Sequence, residues 1–284
     1  MANSNAIPTS NPTNQAPINS ATSPSFSFET TPLQTAAPAV SSKTSSVKKL
    51  RFMLVSTHVQ QFTGYSKVSH GILNELAKNS NLDLIHFAFQ KHPQVPQGFR
   101  SYPSGVDVID ATALENPVQQ GFAYSSVVDT IRKKQPHVVM IYNDMAVVTR
   151  FLEEIRKSGI ERSFKLWIYC DQVYDGQLQG MIDMLNRDAD RVFAFTSYWK
   201  KQLKDQGVTR PLSILGHGFD PTIFFTVPRA MARKSLKLPE DAFIVMSLNR
   251  NQPRKRLDIM IVAFVELVLK YPTKPIVLLC ICDK

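Results

Sequence analysis

The sequence lacks the long apolar segments of membrane proteins. No stretch approaches the roughly 20 consecutive apolar residues that cross a bilayer. The N-terminus also lacks the charged segment and apolar core of a secretory signal peptide. Both absences predict a cytoplasmic protein without a transmembrane segment, for which peripheral contact with a membrane surface stays open.

Cysteine is scarce, with only three residues in 284. Cys170, Cys280 and Cys282 lie in apolar, strand-like runs, and their odd number fits a reducing compartment rather than a disulfide framework. Cys280 and Cys282 would share one face of a strand, but no further cysteine or histidine follows them to complete a tetrahedral metal site. We expect buried, inert thiols and no metal.

Two nucleotide-binding signatures are missing. The chain contains no GxxxxGK[ST] loop, which argues against an NTPase. It contains no complete GxGxxG motif either, which argues against ordinary dinucleotide binding. Any phosphate site must therefore be built in another way.

Charge is nearly absent from residues 1–47, which are rich in Ser, Thr, Asn, Pro and Ala and contain only Glu29 and Lys43 as charged residues. This composition offers few bulky apolar side chains to offset the entropy of ordering, so it predicts a disordered tail. The formal net charge of +10 then belongs to residues 48–284. A basic folded region favours an anionic partner, whether a nucleotide, a nucleic acid or a lipid headgroup.

From Leu50 onwards, short apolar runs alternate with longer amphipathic ones. This alternation predicts an α/β fold with a Rossmann-like, doubly wound parallel sheet. Predicted strands are Leu50–Ser56, Leu82–Phe89, Val106–Ile109, His137–Tyr142, Phe164–Cys170, Arg191–Phe195, Leu212–Leu215, Phe243–Leu248 and Ile276–Ile281. Predicted helices are Tyr65–Asn79, Ala123–Lys134, Met145–Ser158, Gln177–Asp188, Tyr198–Gln206, Arg229–Ser235 and Leu257–Lys270.

A turn-rich segment with two glycines and two prolines predicts an interdomain crossover at residues 216–228. It separates a first domain, residues 48–215, from residues 229–284, the start of a second. Those last residues hold only two predicted strands, whose apolar edges and helix faces would be uncovered. We therefore expect either a partner that supplies the rest or a truncated product.

The loop Asn249–Arg256 joins an apolar strand to an amphipathic helix and carries four cations between Arg250 and Arg256. A helix start adds unpaired N–H groups and the positive end of its dipole, both of which favour an anion. The loop therefore predicts a binding site for a phosphorylated ligand.

Four stretches, taken in order, resemble one family. The first is Phe243–Lys270, in which a strand ends in an Asn-Arg pair and a lysine, Lys255, follows five residues after Arg250. The others are the ADRV segment at residues 189–192, the crossover GHGFD at residues 216–220, and TGYS at residues 63–66. From about Leu50 to its end, the chain resembles GT-B glycosyltransferases of the retaining family-4 (group 1) type, including variants in large DNA viruses.

The resemblance implies transfer of a sugar from a nucleotide-sugar donor to an unknown glycan, protein or lipid acceptor. It implies a retaining, metal-independent reaction without a cofactor, in which Arg250 and Lys255 replace the metal ion at the diphosphate. Further residues that we expect at the donor or substrate are Gly64, Tyr65, Asn143 and Asn249. The family's pair of glutamates with seven residues between them does not occur after Lys270, so we expect a truncated chain with doubtful activity alone.

The sequence departs from the family at three places, of which the first is TGYS, where the usual double glycine is reduced to Gly64 alone. Asp171 stands where the family often has histidine; it could bind a sugar hydroxyl, assist deprotonation of the acceptor, or cap the next helix. His217 stands where asparagine is commoner, and we interpret it as a turn residue. Asn143 and Asp144 pose the same choice between site and cap, with Asp144 as the expected N-cap. His58 could reach the cleft but has no evident partner.

Two other functions stay open. The first domain could be a non-catalytic binding module derived from a glycosyltransferase. The second is binding of nucleic acid through the basic charge. A single short basic loop without interleaved aromatic residues disfavours this function.

Overall fold

Seven parallel strands form the main sheet. The computed structural model describes residues 48–115 and 120–282, so the tail predicted at residues 1–47 lies outside the described residues. The order across the sheet is β3-β2-β1-β4-β5-β6-β7. Its strands are β1 (Leu50–Thr57), β2 (Leu82–Phe89), β3 (Asp107–Asp110), β4 (Val138–Asn143), β5 (Lys165–Cys170), β6 (Arg191–Ala194) and β7 (Leu212–Ile214). The predicted α/β fold with a parallel sheet is confirmed.

The helices follow the strands along the chain. The first part contains α1 (Gly64–Leu76), α2 (Ser126–Lys134), α3 (Met145–Lys157), α4 (Gln179–Asp188) and α5 (Ser197–Asp205). The second contains α6 (Arg229–Ser235) and α7 (Leu257–Lys270). Two short 3₁₀ helices, Ala111–Leu114 and Pro253–Lys255, were not predicted.

The strands are apolar on both sides because helices cover both faces of the sheet. Along β1, Phe52 and Leu54 point into one core and Met53 and Val55 into the other, as the two-residue period of a strand requires. Helix α1 packs on the first face through Leu73. Helices α2 to α5 pack on the opposite face.

Successive strands are added to one side of β1 up to β3 and to its other side from β4 onwards, so the strand order reverses between β1 and β4. Strands β2 and β3 extend the sheet on one side of β1, whereas β4 to β7 extend it on the other. Loops that leave the carboxyl ends of β1 and β4 therefore run to opposite faces and leave a crevice between them. In open α/β sheets, ligands bind in this crevice.

The second sheet contains only the parallel pair β8 (Phe243–Leu248) and β9 (Ile276–Ile281) within the described residues. Its apolar side chains are poorly covered: Phe243 is 64% exposed and Leu248 65% exposed. Because no described element closes over the end of β9, Cys280 and Cys282 are exposed. The expectation of buried thiols is wrong for these two and correct for Cys170.

Candidate functional site

Polar residues gather where β1, β4 and β5 end. Thr57 closes β1, Asn143 closes β4, and Asp171 follows β5. Because these strands are adjacent and parallel, their carboxyl ends lie along one edge of the sheet. The residues predicted from separate strand ends are therefore brought to one place.

The first loop, residues 58–63 between β1 and α1, is held tightly at the start of α1. The Thr63 hydroxyl accepts a hydrogen bond from Ser66 N at 3.2 Å, and Thr63 N donates to the Ser66 hydroxyl at 3.3 Å, a reciprocal cap. Gly64 lies in the first turn, where an added Cβ would meet nothing within 4 Å. Packing therefore does not demand a glycine at this position.

The basic loop of the second sheet lies against this first loop. The Arg250 guanidinium donates a hydrogen bond to the carbonyl oxygen of Phe62. Residues Pro253–Lys255 form a 3₁₀ turn, so that Lys255 lies two residues before α7 begins at Leu257. Asn249 joins this loop to β9 through its N–H, which donates to Ile281 O at 3.2 Å. Arg250 and Gly64 line one pocket of about 370 Å³.

Asp171 lies beside two aromatic side chains. Its carboxylate accepts a hydrogen bond from the Tyr142 hydroxyl at 3.3 Å. Burial raises the pKa of Asp171, while His217 and the Tyr142 hydroxyl oppose that rise. Asp171 does not cap the next helix, because α4 begins only at Gln179. A partly desolvated carboxylate at a strand end is suited to hydrogen bonding or proton transfer.

His217, in the crossover, is near enough to Asp171 for their charges to interact. Its ring stacks on Phe195, with 4.9 Å between ring centroids, and meets Tyr169 edge-on at 5.7 Å. Burial lowers the pKa of His217, and the charge of Asp171 partly offsets this. The interpretation of His217 as a turn residue did not include its proximity to Asp171. The sequence feature that could have suggested it is the presence of a histidine in the crossover between the two sheets.

Tyr65 connects the two groups of residues. Its ring lies 5.8 Å from that of Tyr142, and burial raises the pKa of its hydroxyl, helped by the charges of Asp171 and Asp144. Arg254 acts on the same hydroxyl in the opposite direction. The Tyr65 hydroxyl is therefore influenced by charges from both the carboxylate side of the site and the basic loop.

Asn143 and Asp144 have structural partners. The Asn143 amide donates to the Thr57 hydroxyl at 3.1 Å and accepts from Asp144 N at 3.0 Å, and the side chain is buried. The Asp144 carboxylate accepts from Val147 N at 3.0 Å, which is the predicted N-cap of α3. Asn143 thus ties β4 to β1 behind the site.

His58, the first residue of the first loop, is buried in a polar cluster. Its ring lies 5.5 Å from that of Tyr102, whose hydroxyl is 3.0 Å from Nδ1 of His86. Nε2 of His86 lies 2.9 Å from the Ser56 hydroxyl. Burial lowers the pKa of His58 to about 4 and that of His86 to about 3. The partner that the sequence did not reveal is Tyr102, from the segment after β2.

These histidines predict acid-sensitive stability. An unfolded histidine has a pKa of about 6.5, so between that value and about 4 the unfolded chain binds more protons than the folded one, and stability falls as the pH falls. In His58→Gln, one of these groups is removed, and we expect the melting temperature to fall less between pH 6.5 and pH 4. Thermal unfolding followed by circular dichroism measures this slope; an unchanged slope would mean that folded His58 already carries a proton.

Within the described residues, no group of three or more His, Cys, Asp or Glu side chains is arranged to hold a metal ion. In the same part of the chain, no helix has the length and apolar character needed to cross a membrane.

Comparison with known proteins shows the fold. No family model matches the chain, and no curated protein matches it. Solved structures do match. Anabaena HepE in complex with UDP and glucose has a TM-score of 0.56 at 15% identity, over 82% of this chain and 60% of its own. The fold is that of GT-B proteins.

Two further GT-B neighbours agree. Apo OtsA has a TM-score of 0.53 at 12% identity, over 83% of this chain and 65% of its own. A structure described as trehalose-6-phosphate from E. coli bound with UDP-2-fluoro glucose has a TM-score of 0.52 at 14% identity, over 82% of this chain and 64% of its own. The chain thus spans less than two thirds of the length of each neighbour.

Proposed function

We propose that this chain belongs to a glycosyltransferase that moves a sugar from a nucleotide-sugar donor to an acceptor with hydroxyl groups. The observation that carries the proposal is the contact of Arg250 with Phe62 O, which brings the basic loop against the first loop at the carboxyl edge of the sheet. Structures with the same fold hold UDP with glucose, or UDP-2-fluoro glucose, which supports a nucleotide sugar as the ligand.

The proposed chemistry needs positive charge at the diphosphate. When the bond between the anomeric carbon and the diphosphate breaks, negative charge grows on the leaving group, and cations near it stabilise the transition state more than the ground state. Arg250 offers a planar, bidentate contact and Lys255 a movable point charge. We propose that these two side chains do this without a metal ion, in a reaction that retains the anomeric configuration.

The opposite side of the site would hold the sugars. Asp171 would accept a hydrogen bond from a sugar hydroxyl or take a proton from the acceptor. Tyr65 and Gly64 would contact the donor between Asp171 and Arg250. Asn249 and Asn143 would position the backbone around the ligand, and Asn143 is buried behind this surface.

The test is a titration of the full chain with a panel of UDP- and GDP-sugars by calorimetry, together with an assay for release of the nucleoside diphosphate. We expect one donor to bind in the presence of EDTA. If no member of the panel binds, the proposal fails. If an acceptor glycan binds while no donor does, the chain is instead a binding module.

A further inference from the structure

Three cationic side chains meet at the pocket between the first loop and the basic loop. Lys67, Arg100 and Arg250 line it together with Thr63 and Gly64. The rings of Phe62 and Phe99 complete the lining, with their centroids 4.9 Å apart. Among the described residues, no carboxylate lines this pocket.

Arg100 is held rigidly in this position. The two hydrogens of one terminal nitrogen of its guanidinium are shared among three acceptors, which are Gln61 O at 3.2 Å, Val59 O at 3.3 Å and the Ser66 hydroxyl at 2.5 Å. Its guanidinium carbon lies 4.7 Å from the centre of the Phe99 ring. A guanidinium fixed through one nitrogen keeps its other N–H groups available in a defined direction.

Lys67 supplies a second charge from the first turn of α1. Its ammonium lies 5.2 Å from the centre of the Phe224 ring, and the residue is exposed. In the described part of the chain, neither Lys67, Arg100 nor Arg250 forms an ion pair. Three like charges thus converge without a carboxylate to balance them, and the repulsion between them favours a bound anion.

We propose that this pocket binds a phosphate group through Lys67, Arg100 and Arg250. Two guanidinium groups and an ammonium can contact several oxygens of one tetrahedral anion. A single carboxylate has too few oxygens to accept from all of these donors. The start of α1, beside Gly64, adds unpaired N–H groups on the same side. The inference rests on the proposed function for the source of the phosphate, which is either the donor diphosphate or a phosphorylated acceptor.

The experiment titrates the full chain with inorganic phosphate and with pyrophosphate by calorimetry. In Lys67→Gln we expect about tenfold weaker pyrophosphate binding, and in Lys67→Glu a larger loss, because one charge-assisted contact is removed and then reversed. Lys133→Gln is the matched control, since Lys133 is an exposed lysine of α2. Equal affinity in all four proteins, or no binding by the wild type, overturns the proposal.

Arg100→Lys checks the pocket without removing its charge. This variant loses the guanidinium that hydrogen-bonds to the first loop, so it should bind pyrophosphate more weakly than the wild type. Its thermal unfolding should be as cooperative as that of the wild type. Wild-type affinity in this variant would remove Arg100 from the site and overturn the three-residue arrangement.

A second titration with saturating UDP identifies the source. If UDP displaces phosphate, the pocket holds the donor diphosphate; if phosphate binds beside UDP, it holds the phosphate of an acceptor. This inference alone is overturned if the wild type binds no phosphate and its nucleotide-sugar binding depends on Arg250 but is unchanged in Lys67→Gln. Phosphate binding through Lys67 in a chain that binds no nucleotide sugar overturns only the proposed function.

Discussion

Replacement of Arg250 by alanine is expected to lower turnover of the nucleotide sugar by about 100- to 1000-fold, the range found when one charge-stabilising donor is removed from an active site. Arg250 would contact the leaving diphosphate, where negative charge grows as the glycosidic bond breaks. Its contact with Phe62 O also holds the basic loop at the first loop. The charge effect is strongest in the transition state, so we expect kcat to fall more than donor affinity.

The matched control is Arg256→Gln in the same loop. Arg256 is exposed and pairs with Asp258 at 2.8 Å rather than with the first loop. Its loss should leave turnover within a few-fold of the wild type, since exposed ion pairs contribute little. Steady-state assays of nucleoside diphosphate release compare the two variants. Equal losses in both would show that the loop acts through its total charge and not through Arg250.

Asp171→Asn is expected to lower kcat by about 100-fold or more, the usual contribution of a positioned acid or base, with little change in donor affinity. The carboxylate must be ionised to accept a proton or to bind a sugar hydroxyl as a charged acceptor. Its activity is therefore lost as the pH falls through the pKa of Asp171. Burial raises that pKa, so the loss should begin at a higher pH than for an exposed aspartate.

The same variant should not destabilise the fold at neutral pH. Because the folded-state pKa of Asp171 is raised, burial penalises its charged form, and a neutral amide removes that penalty. The asparagine oxygen can still accept from the Tyr142 hydroxyl. The pH profile of kcat and the melting temperature are the two measurements. A profile unchanged from the wild type, or a large drop in melting temperature, would assign Asp171 a structural role.

Asp175→Asn is the control for this experiment. Asp175 lies on the loop after β5 as Asp171 does, is exposed, and accepts from the Tyr198 hydroxyl at 3.4 Å. Turnover should be nearly unchanged in this variant. A loss as large as that of Asp171→Asn would mean that the loop conformation, rather than one carboxylate, controls the reaction.

Local pattern was enough to predict most of the fold. Strands such as β2 (Leu82–Phe89) and helices such as α7 (Leu257–Lys270) were predicted with their observed bounds. Apolar periodicity carries this information, because strands buried on both faces are continuously apolar and helices repeat every three to four residues. The turn Pro253–Lys255 was missed because a 3₁₀ turn has no hydrophobic period to reveal it.

Part of the candidate site was also predictable, since polar residues after parallel strands must meet at one edge. Asp171 and Asn143 follow from this rule. The roles proposed for Arg250 and Lys255 came from the resemblance of the loop Asn249–Arg256 and stay predictions. Exposure of Cys280 could not be predicted, because burial of a strand depends on what packs over it.

The sequence by itself determined the alternation of strands and helices, the polar strand ends and the basic loop, all of which depend on neighbouring residues. Only the tertiary structure decided that Lys67, Arg100 and Arg250 line one pocket. Arg250 and Phe62 are 188 residues apart, and Arg100 reaches the first loop from the segment after β2. Contacts between such distant residues depend on chain crossovers and packing, which leave no periodic signal in the sequence.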